Sequence, residues 1–355
     1  MPALFDRPAP LSGFALAAIL PGLVLLAGAF WGGIWIWAGL IWMAGASQAA
    51  DTLIARGFAD PQGDSAPWQA EALSVVLAML HLVLLVAGLA ALVRLGRGGH
   101  EAQASGLFLG LGLFFGQVSN ANAHELIHRS ARGLFRLGAA VYVSLLFGHH
   151  SSAHRLVHHR HVATALDPNS ARLGESFWHF FPRAWIGSFR AGLGAERALS
   201  ARRAPGQGAR INPYLWWVGG GLACMAGVVL WLGPAGLACY LALCLYAQMQ
   251  MMLADYVQHY GLERRSLAGR REPVGPQHSW DAPHVLSSLM MVNAPRHSDH
   301  HAHPGRAYPL LRLDSAGRPR PMLPWSLPVM AAIALLPPLW RQVMDRRVLR
   351  MRALK

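Results

Sequence analysis

GLFFGQVSNANAHELIH, residues 112–128, is the stretch that decides how this chain folds. It opens as an apolar run and closes on two histidines with no proline between, so one helix can leave a bilayer and continue past its surface. His124 and His128 then lie one turn apart on one helical face, separated by about 6 Å of rise and able to reach one ion. Three further clusters stand at the polar ends of apolar segments: His154, His158 and His159 in HRLVHH, His259 in DYVQHYG, and His297, His300 and His301 in HSDHH. A single tetrahedral ion takes three or four protein ligands, so nine imidazoles suggest two ions.

Spacing refines this expectation. HRLVHH sets His154 and His158 on one helical face with His159 about 100° away, an arrangement that can serve two metals. HSDHH repeats the idea at i, i+3 and i+4. His259 is single, but its place at the same end of the molecule as the other clusters makes it a ligand rather than a structural histidine.

Composition fixes the surroundings. Of 355 residues 54% are hydrophobic and 14% charged, against about 25% charged in soluble domains. Apolar stretches near the roughly 20 residues that cross a bilayer occur at 13–30, 31–49, 72–93, 105–123, 213–232 and 235–254. The expected fold is an all-α integral membrane protein: about six transmembrane helices with a cytoplasmic histidine-rich metal-binding cap, in one domain over 1–355. Helical hairpins would cover 13–49, 72–128 and 213–259, and cytoplasmic sections 129–212 and 257–355. The polar link from Asp51 to Trp68 carries the turn-forming DPQGDSAP, residues 60–67. Shorter apolar runs at 134–147 and 325–340, the second broken by Pro328, Pro337 and Pro338, read as interfacial or half-inserted. Asp6, Arg7 and Pro10 precede an apolar run too long for a signal core, which makes the first segment an anchor.

The net charge is +14, and Lys355 is the only lysine. Arginines crowd the stretches from Arg129 to Arg210 and from Arg264 to Arg320 and the tail, and the positive-inside tendency puts these at the cytoplasm; the short link Arg94 to Ala104 is a mild violation. All four clusters then share the cytoplasmic face of the inner membrane. No aromatic-basic module or helix-turn-helix pattern accompanies the charge, so nucleic acid is not an expected partner. Cys224, Cys239 and Cys244 lie within apolar segments without a CxxC pair, which argues against a cysteine-ligated iron or iron–sulfur centre.

Two other chemistries compete. A zinc protease would use His124 and His128 as ligands and Glu125 as general base, but it needs only one more ligand and leaves most of the clustered histidines idle. Glu125 would otherwise face away and hold a neighbouring Arg or His. A metal carrier or store would string its ligands along a pathway or a flexible tract, unlike these short rigid spacings. Imidazole suits zinc, copper and iron alike, so ligand type alone does not choose the metal.

HELIH, HRLVHHRHVATALDP, DYVQHYGL, and HSWDAP followed by NAPRHSDHHAHPGRAYPLL resemble the histidine boxes of the membrane alkane 1-monooxygenases, within the histidine-rich membrane desaturase and hydroxylase superfamily. The resemblance is clearest over 105–313. It implies that the nine histidines bind a non-haem di-iron centre, two iron ions that activate O2 and insert one oxygen atom into a terminal C–H bond of an alkane. It further implies electrons from a separate rubredoxin served by an NAD(P)H-dependent reductase, and an arginine-rich face suits an acidic donor. A fatty acyl desaturase or a terminal-alkene-forming decarboxylase shares the same centre.

The chain departs from the family pattern in having Ala153 and Gln258 where Glu is usual and Asp255 where Asn is commoner. Acids hydrogen-bonded to ligating imidazoles fix their tautomers, and Asp255, Asp299 and Glu272 are the candidates to supply them here. His149, His150, His161, His278, His284 and His303 are expected as hydrogen-bonding neighbours. Trp35, Trp37, Trp42 and Met43 could narrow a substrate slot, or serve as interfacial anchors.

Overall fold

The structure is a computed structural model that describes residues 7–54, 57–63, 66, 68–202, 211–267, 270–313 and 320–354. Asp6, Lys355 and, from the expected turn, Asp64, Ser65 and Pro67 lie outside the described residues. All six apolar stretches are helical. Helix α1 is Leu11–Trp31; α2 runs through Ile34–Ile41, a π-helical turn Trp42–Ala46 and Ser47–Ile54. Gly32 and Gly33 join them at φ 66° and 58°, a conformation that costs glycine little and other residues much. Helix α3 is Trp68–Arg97, and α4 runs through Glu101–Phe114, a π turn Phe115–Ser119 and Asn120–Ile127.

After α4 come α5 (Arg132–Ser144), then α6, made of His150–Ala153, a π turn His154–His158 and His159–His161, and then α7 (Phe177–Ala201). Helix α8 spans Tyr214–His259 but is broken at Gly233, with φ 70° just before Pro234. The Tyr240 hydroxyl lies against Cys224, and residues sixteen apart in a straight helix would be separated by about 24 Å. The chain therefore reverses at Gly233, and the two halves of α8 lie side by side. Short helices α9 (Val285–Met290) and α10 (His297–Ala302) precede α11 (Leu327–Ala334) and α12 (Pro337–Ala353). The only strands among the described residues are a two-residue antiparallel ribbon, Ser266–Leu267 with Arg270–Arg271. The class is all-α.

Three of these helices, α1, α3 and the broken α8, are long and apolar enough to cross a bilayer. Large apolar side chains face outward, Leu230 at 87% and Ile34 at 76% exposure among them, as a lipid-facing surface requires. Helix α3 has 56% of its most apolar window buried and α8 only 22%, so α3 is central to the bundle, while burial in α8 concentrates between Tyr240 and His259.

Polar elements strap over the end of the bundle where α4 and α8 finish. Gly138 of α5 allows close approach to Leu126 and the Ala123 carbonyl, and the Tyr142 hydroxyl donates to the Asn120 carbonyl at 3.2 Å. Asp51, at the end of α2, accepts from the Leu286 and Ser287 amides at 2.6 and 3.0 Å, satisfying the first turn of α9. Arg296, just before α10, donates to Asp60 at 2.6 Å and to the Phe58 carbonyl at 2.7 Å. Trp340 of α12 packs against Tyr256 at a tilt and edge-on to Tyr260. Pro337 starts α12 and separates it from α11, as the prolines of the 325–340 run anticipate.

Candidate metal centre

All nine histidines of the four motifs converge, and they divide into two groups. His124, His128, His154, His159 and His300 form one nest; His158, His259, His297 and His301 form the other. Within each nest one nitrogen per ring lies within 4.8 Å of every other. His124 and His128 arrive on α4, His259 on α8, and His297, His300 and His301 on α10.

Helix α6 corrects one expectation. Regular α-helical geometry would put His154 and His158 on one face, yet they serve different nests, and His154 pairs with His159 instead, Nε2 to Nε2 at 2.9 Å. The cause is the π turn His154–His158. Its wider, i to i+5 bonded turn brings residue 159 rather than 158 round beneath residue 154, and such turns recur at functional sites. In α10 the spacing behaves as expected: His297 and His301, four apart, share the second nest, while His300 faces the first.

The donor geometry fits metal ions. Nε2 atoms approach one another along His124–His154–His159–His300 at 2.7, 2.9 and 3.2 Å, and along His259–His297–His301 at 3.0 and 3.0 Å. Metal–nitrogen bonds of about 2.0–2.1 Å impose nitrogen separations of about 2.9–3.4 Å. One proton can bridge one pair of nitrogens but cannot serve three or four converging acceptors. His128 Nε2 and His158 Nε2 are buried with no hydrogen-bond partner, a cost that a cation in each nest would remove. Burial, reinforced by neighbouring imidazoles, holds His154, His297, His300 and His301 well below the usual imidazole value. They are neutral at pH 7, the state that ligates.

The carboxylate that touches the nests is one the sequence reading missed. Asp167 Oδ2 accepts from His158 Nδ1 at 2.8 Å, with side chains only 1% and 2% exposed. Burial alone would pull the His158 imidazole down, but Asp167 more than offsets it and holds it above its ordinary value. Asp167 also accepts from Ser170 Oγ at 2.7 Å and the Asn169 amide at 3.1 Å. Asp255 stands one layer further out: it accepts from Asn169 Nδ2 at 2.6 Å, so Asp255, Asn169, Asp167 and His158 form one relay. The signal lay in ALDP of the second motif, nine residues past His158, with an intervening turn that returns the carboxylate.

The other two expected acids act elsewhere. Asp299 holds Arg306 through both oxygens at 2.7 and 2.6 Å, and also His303 and the Arg312 amide, but none of the nine ligands. Glu272 pairs with His278 Nε2 at 2.8 Å, and the His278 carbonyl lies 3.4 Å from His259 Nδ1. Its influence on the nest is therefore indirect. Asp281, unremarked in the sequence, accepts from the Ser298 amide and hydroxyl at 2.9 and 2.5 Å and so fixes the start of α10. Glu125 does face away: it pairs with Arg129 at 3.3 Å and accepts from the Tyr308 amide at 3.2 Å. Neither Ala153 nor Gln258 supplies an acid; Gln258 donates to the Ala294 carbonyl at 3.2 Å. None of His149, His150, His161, His278, His284 and His303 belongs to either nest. His278 and His303 are hydrogen-bonding neighbours as expected, while His149 Nε2, His150 Nδ1 and His284 Nδ1 are buried without a partner.

A cleft leads to the nests from the bundle. A small cavity of about 50 Å³ reaches His124 and His297 and is walled by Asn120, Met251 and Asp255. It shares Gly116, Ala254, Met291 and Leu327 with an apolar cavity of about 170 Å³ that runs between α4, α8 and α11. Trp35, Trp37, Trp42 and Met43 line neither cavity. Trp35 is 43% exposed and Trp37 packs near Gly106, so of the two roles expected for them the narrowing of this cleft is not seen.

Residues 102–334 match the fatty acid desaturase family. The chain is similar to alkane 1-monooxygenase 2 of Pseudomonas aeruginosa, 35% identical over 68% of this chain and 64% of that protein. It is similar to alkane 1-monooxygenase 2 of Alcanivorax borkumensis, 32% identical over 68% of this chain and 63% of that protein. The xylene/toluene monooxygenase hydroxylase component XylM of Pseudomonas putida is 26% identical over 92% of this chain and 85% of its own length. The match thus spans just under two thirds of the length of the alkane monooxygenases.

Proposed function

The chain belongs to the fatty acid desaturase family, and from that premise we propose that it is a membrane-embedded non-haem di-iron monooxygenase that hydroxylates the terminal carbon of a long apolar substrate, most simply an alkane. The observation that carries this is the pair of all-histidine nests at the inner end of an apolar cleft. His124, His128, His154, His159 and His300 would hold one iron and His158, His259, His297 and His301 the other. Bound there, the iron pair supplies the redox chemistry that activates O2.

The rest falls to the chain's own residues. Leu113, Ala331, Ala332 and Leu335 line the outer cavity and admit an unbranched apolar chain from the bilayer. Met291 and Leu327, common to both cavities, narrow the route so that a chain end reaches His124 and His297. Burial of the nests excludes bulk water. Asp167 keeps the proton of His158 on Nδ1 and leaves Nε2 free to ligate. The active site would face the cytoplasm at the inner membrane, with electrons from a separate rubredoxin-like donor and its NAD(P)H-dependent reductase. The similarity to proteins named alkane 1-monooxygenase favours hydroxylation over desaturation or decarboxylation. Commitment of Glu125 to Arg129 and Tyr308 weighs against a zinc protease.

The test is iron and zinc content per chain of protein purified in detergent without added metal, followed by a hydrocarbon hydroxylation assay with added rubredoxin and reductase. About two irons and a terminal alcohol product support the proposal. About one zinc with negligible iron, or iron-loaded protein that forms no alcohol, overturns it.

A further inference from the structure

A second and larger groove lies on the other side of the histidine helix. About 870 Å³ in volume, it is bounded by α5, α6, the end of α7 and the start of α8. Helix α5 writes its character in sequence: Arg132 and Arg136 stand one turn apart at its beginning, and the same wall continues through Ala139 and Val143. Arg155, from the π turn of α6, joins the basic end. Three arginines thus line one groove together with the apolar Phe135, Ala139, Val143 and Leu199.

None of Arg132, Arg136 and Arg155 makes a hydrogen bond or ion pair within the described residues; Arg155 rests over the Phe135 ring at 5.0 Å. Ser151 Oγ, buried in the same wall, has no hydrogen-bond partner. Trp216 and Trp217 flank the groove within the first turn of α8, the level at which aromatic belts mark the membrane interface. The acid in the wall, Glu196, is already engaged by the Ser152 hydroxyl at 2.7 Å.

We infer that this groove is a binding site for an anionic phospholipid, its phosphate held by Arg132, Arg136 and Arg155 and one acyl chain laid along Ala139 and Val143. Basic pockets between membrane helices take anionic headgroups in this way. A free phosphate would use the arginines but leave the apolar wall bare, and a zwitterionic lipid would bring its own cation to the basic end. Arg155 lies between His154 and His158 in the chain, so an occupied groove also props the helix that contributes to both nests.

The test is native mass spectrometry of the full chain released from detergent with equimolar phosphatidylglycerol and phosphatidylcholine of matched chains. The expected result is preferential retention of phosphatidylglycerol, at least tenfold, with millimolar inorganic phosphate failing to displace it. The triple variant Arg132→Gln, Arg136→Gln, Arg155→Gln should lose the preference. A charge-matched control, Arg346→Gln, Arg347→Gln, Arg350→Gln on exposed positions of α12, should keep it. Iron content and the melting temperature of each variant report folding separately. Equal retention of both lipids, displacement by phosphate, an unchanged preference in the groove variant that remains folded, or an equal loss in the control would each overturn the inference.

Discussion

Asp167→Asn tests the relay behind the second nest. The substitution is isosteric, and the amide oxygen can still accept from His158 Nδ1, now 2.8 Å from the carboxylate. What it removes is the charge on an acceptor buried at 1% exposure. A hydrogen bond to a charged group contributes about 1.5–3 kcal/mol and a neutral one about 0.5–1.5, so the loss at His158 is on the order of 1–1.5 kcal/mol. That corresponds to about tenfold in metal affinity, at the lower end of the 10–100-fold seen for such outer partners. The assay is iron retained per chain across a chelator series, with Mössbauer spectroscopy to tell the two sites apart. We expect the midpoint for one iron to fall by about tenfold while the other barely moves, because the five-histidine nest has no such acid among the described residues. Asp299→Asn, which breaks contacts with Arg306 and His303 but touches none of the nine, is the comparison. An unchanged chelator midpoint in Asp167→Asn, or an equal loss from both sites, would refute the relay.

Four further outcomes follow from the same geometry. His128→Ala or His300→Ala should abolish oxygenation with the protein still in the membrane fraction, and turnover retained by either would remove that residue from the ligand set. Glu125→Gln should keep hydroxylation within about threefold, since the side chain serves Arg129 and Tyr308 and not the nests; a hundredfold loss would restore it as a base. Ala331→Trp, in the outer cavity, should shift product formation toward shorter alkanes by about tenfold, read by gas chromatography of a mixed-chain competition, and an unchanged chain-length profile would move the slot elsewhere. Metal-free protein should lose stability as pH falls below about 6.5: His154, His297, His300 and His301 bind protons when unfolded but not when buried, so each removes up to about 1.4 kcal/mol per pH unit until its depressed folded value is reached. A metal-free melting temperature flat between pH 7 and 5 would contradict that sign.

The apolar helices and the histidines that converge were legible because both are written as local periodicity. Each apolar run is long enough to be recognised, and every one of the nine histidines is spaced for a helix end. Their assignment to the two nests was not legible. It depends on a π turn at His154–His158, whose extra residue per turn leaves no mark in a pattern read at 3.6 residues. Asp167 was hidden for a different reason: it reaches His158 by a turn outside any helix, so no periodicity connects them. The cleft was not legible, because large aromatic residues such as those of α2 stand out in a sequence, whereas its wall includes Ala254, Ala331 and Gly116. Small residues mark space only once the fold is known.

Charge explains where the acids stand. Two dications held by nine neutral imidazoles, as proposed, would carry positive charge uncompensated by any ligand, and burying it would cost far more than a single domain's stability unless anions lay close. The chain has only 17 acidic residues, yet Glu125, Asp167, Asp255, Asp281 and Asp299 are all buried on or beside the elements that carry the histidines. None occupies a ligand position: Asp167 bonds His158 directly, Asp281 fixes the start of α10 through Ser298, and Glu125 and Asp299 hold Arg129 and Arg306. Anions one layer out would lower the electrostatic cost of such cations while leaving every donor an imidazole. Substitutions at Asn169, which ties Asp255 to Asp167, and at Ser298, which Asp281 holds at the start of α10, should therefore weaken metal retention without removing a single donor.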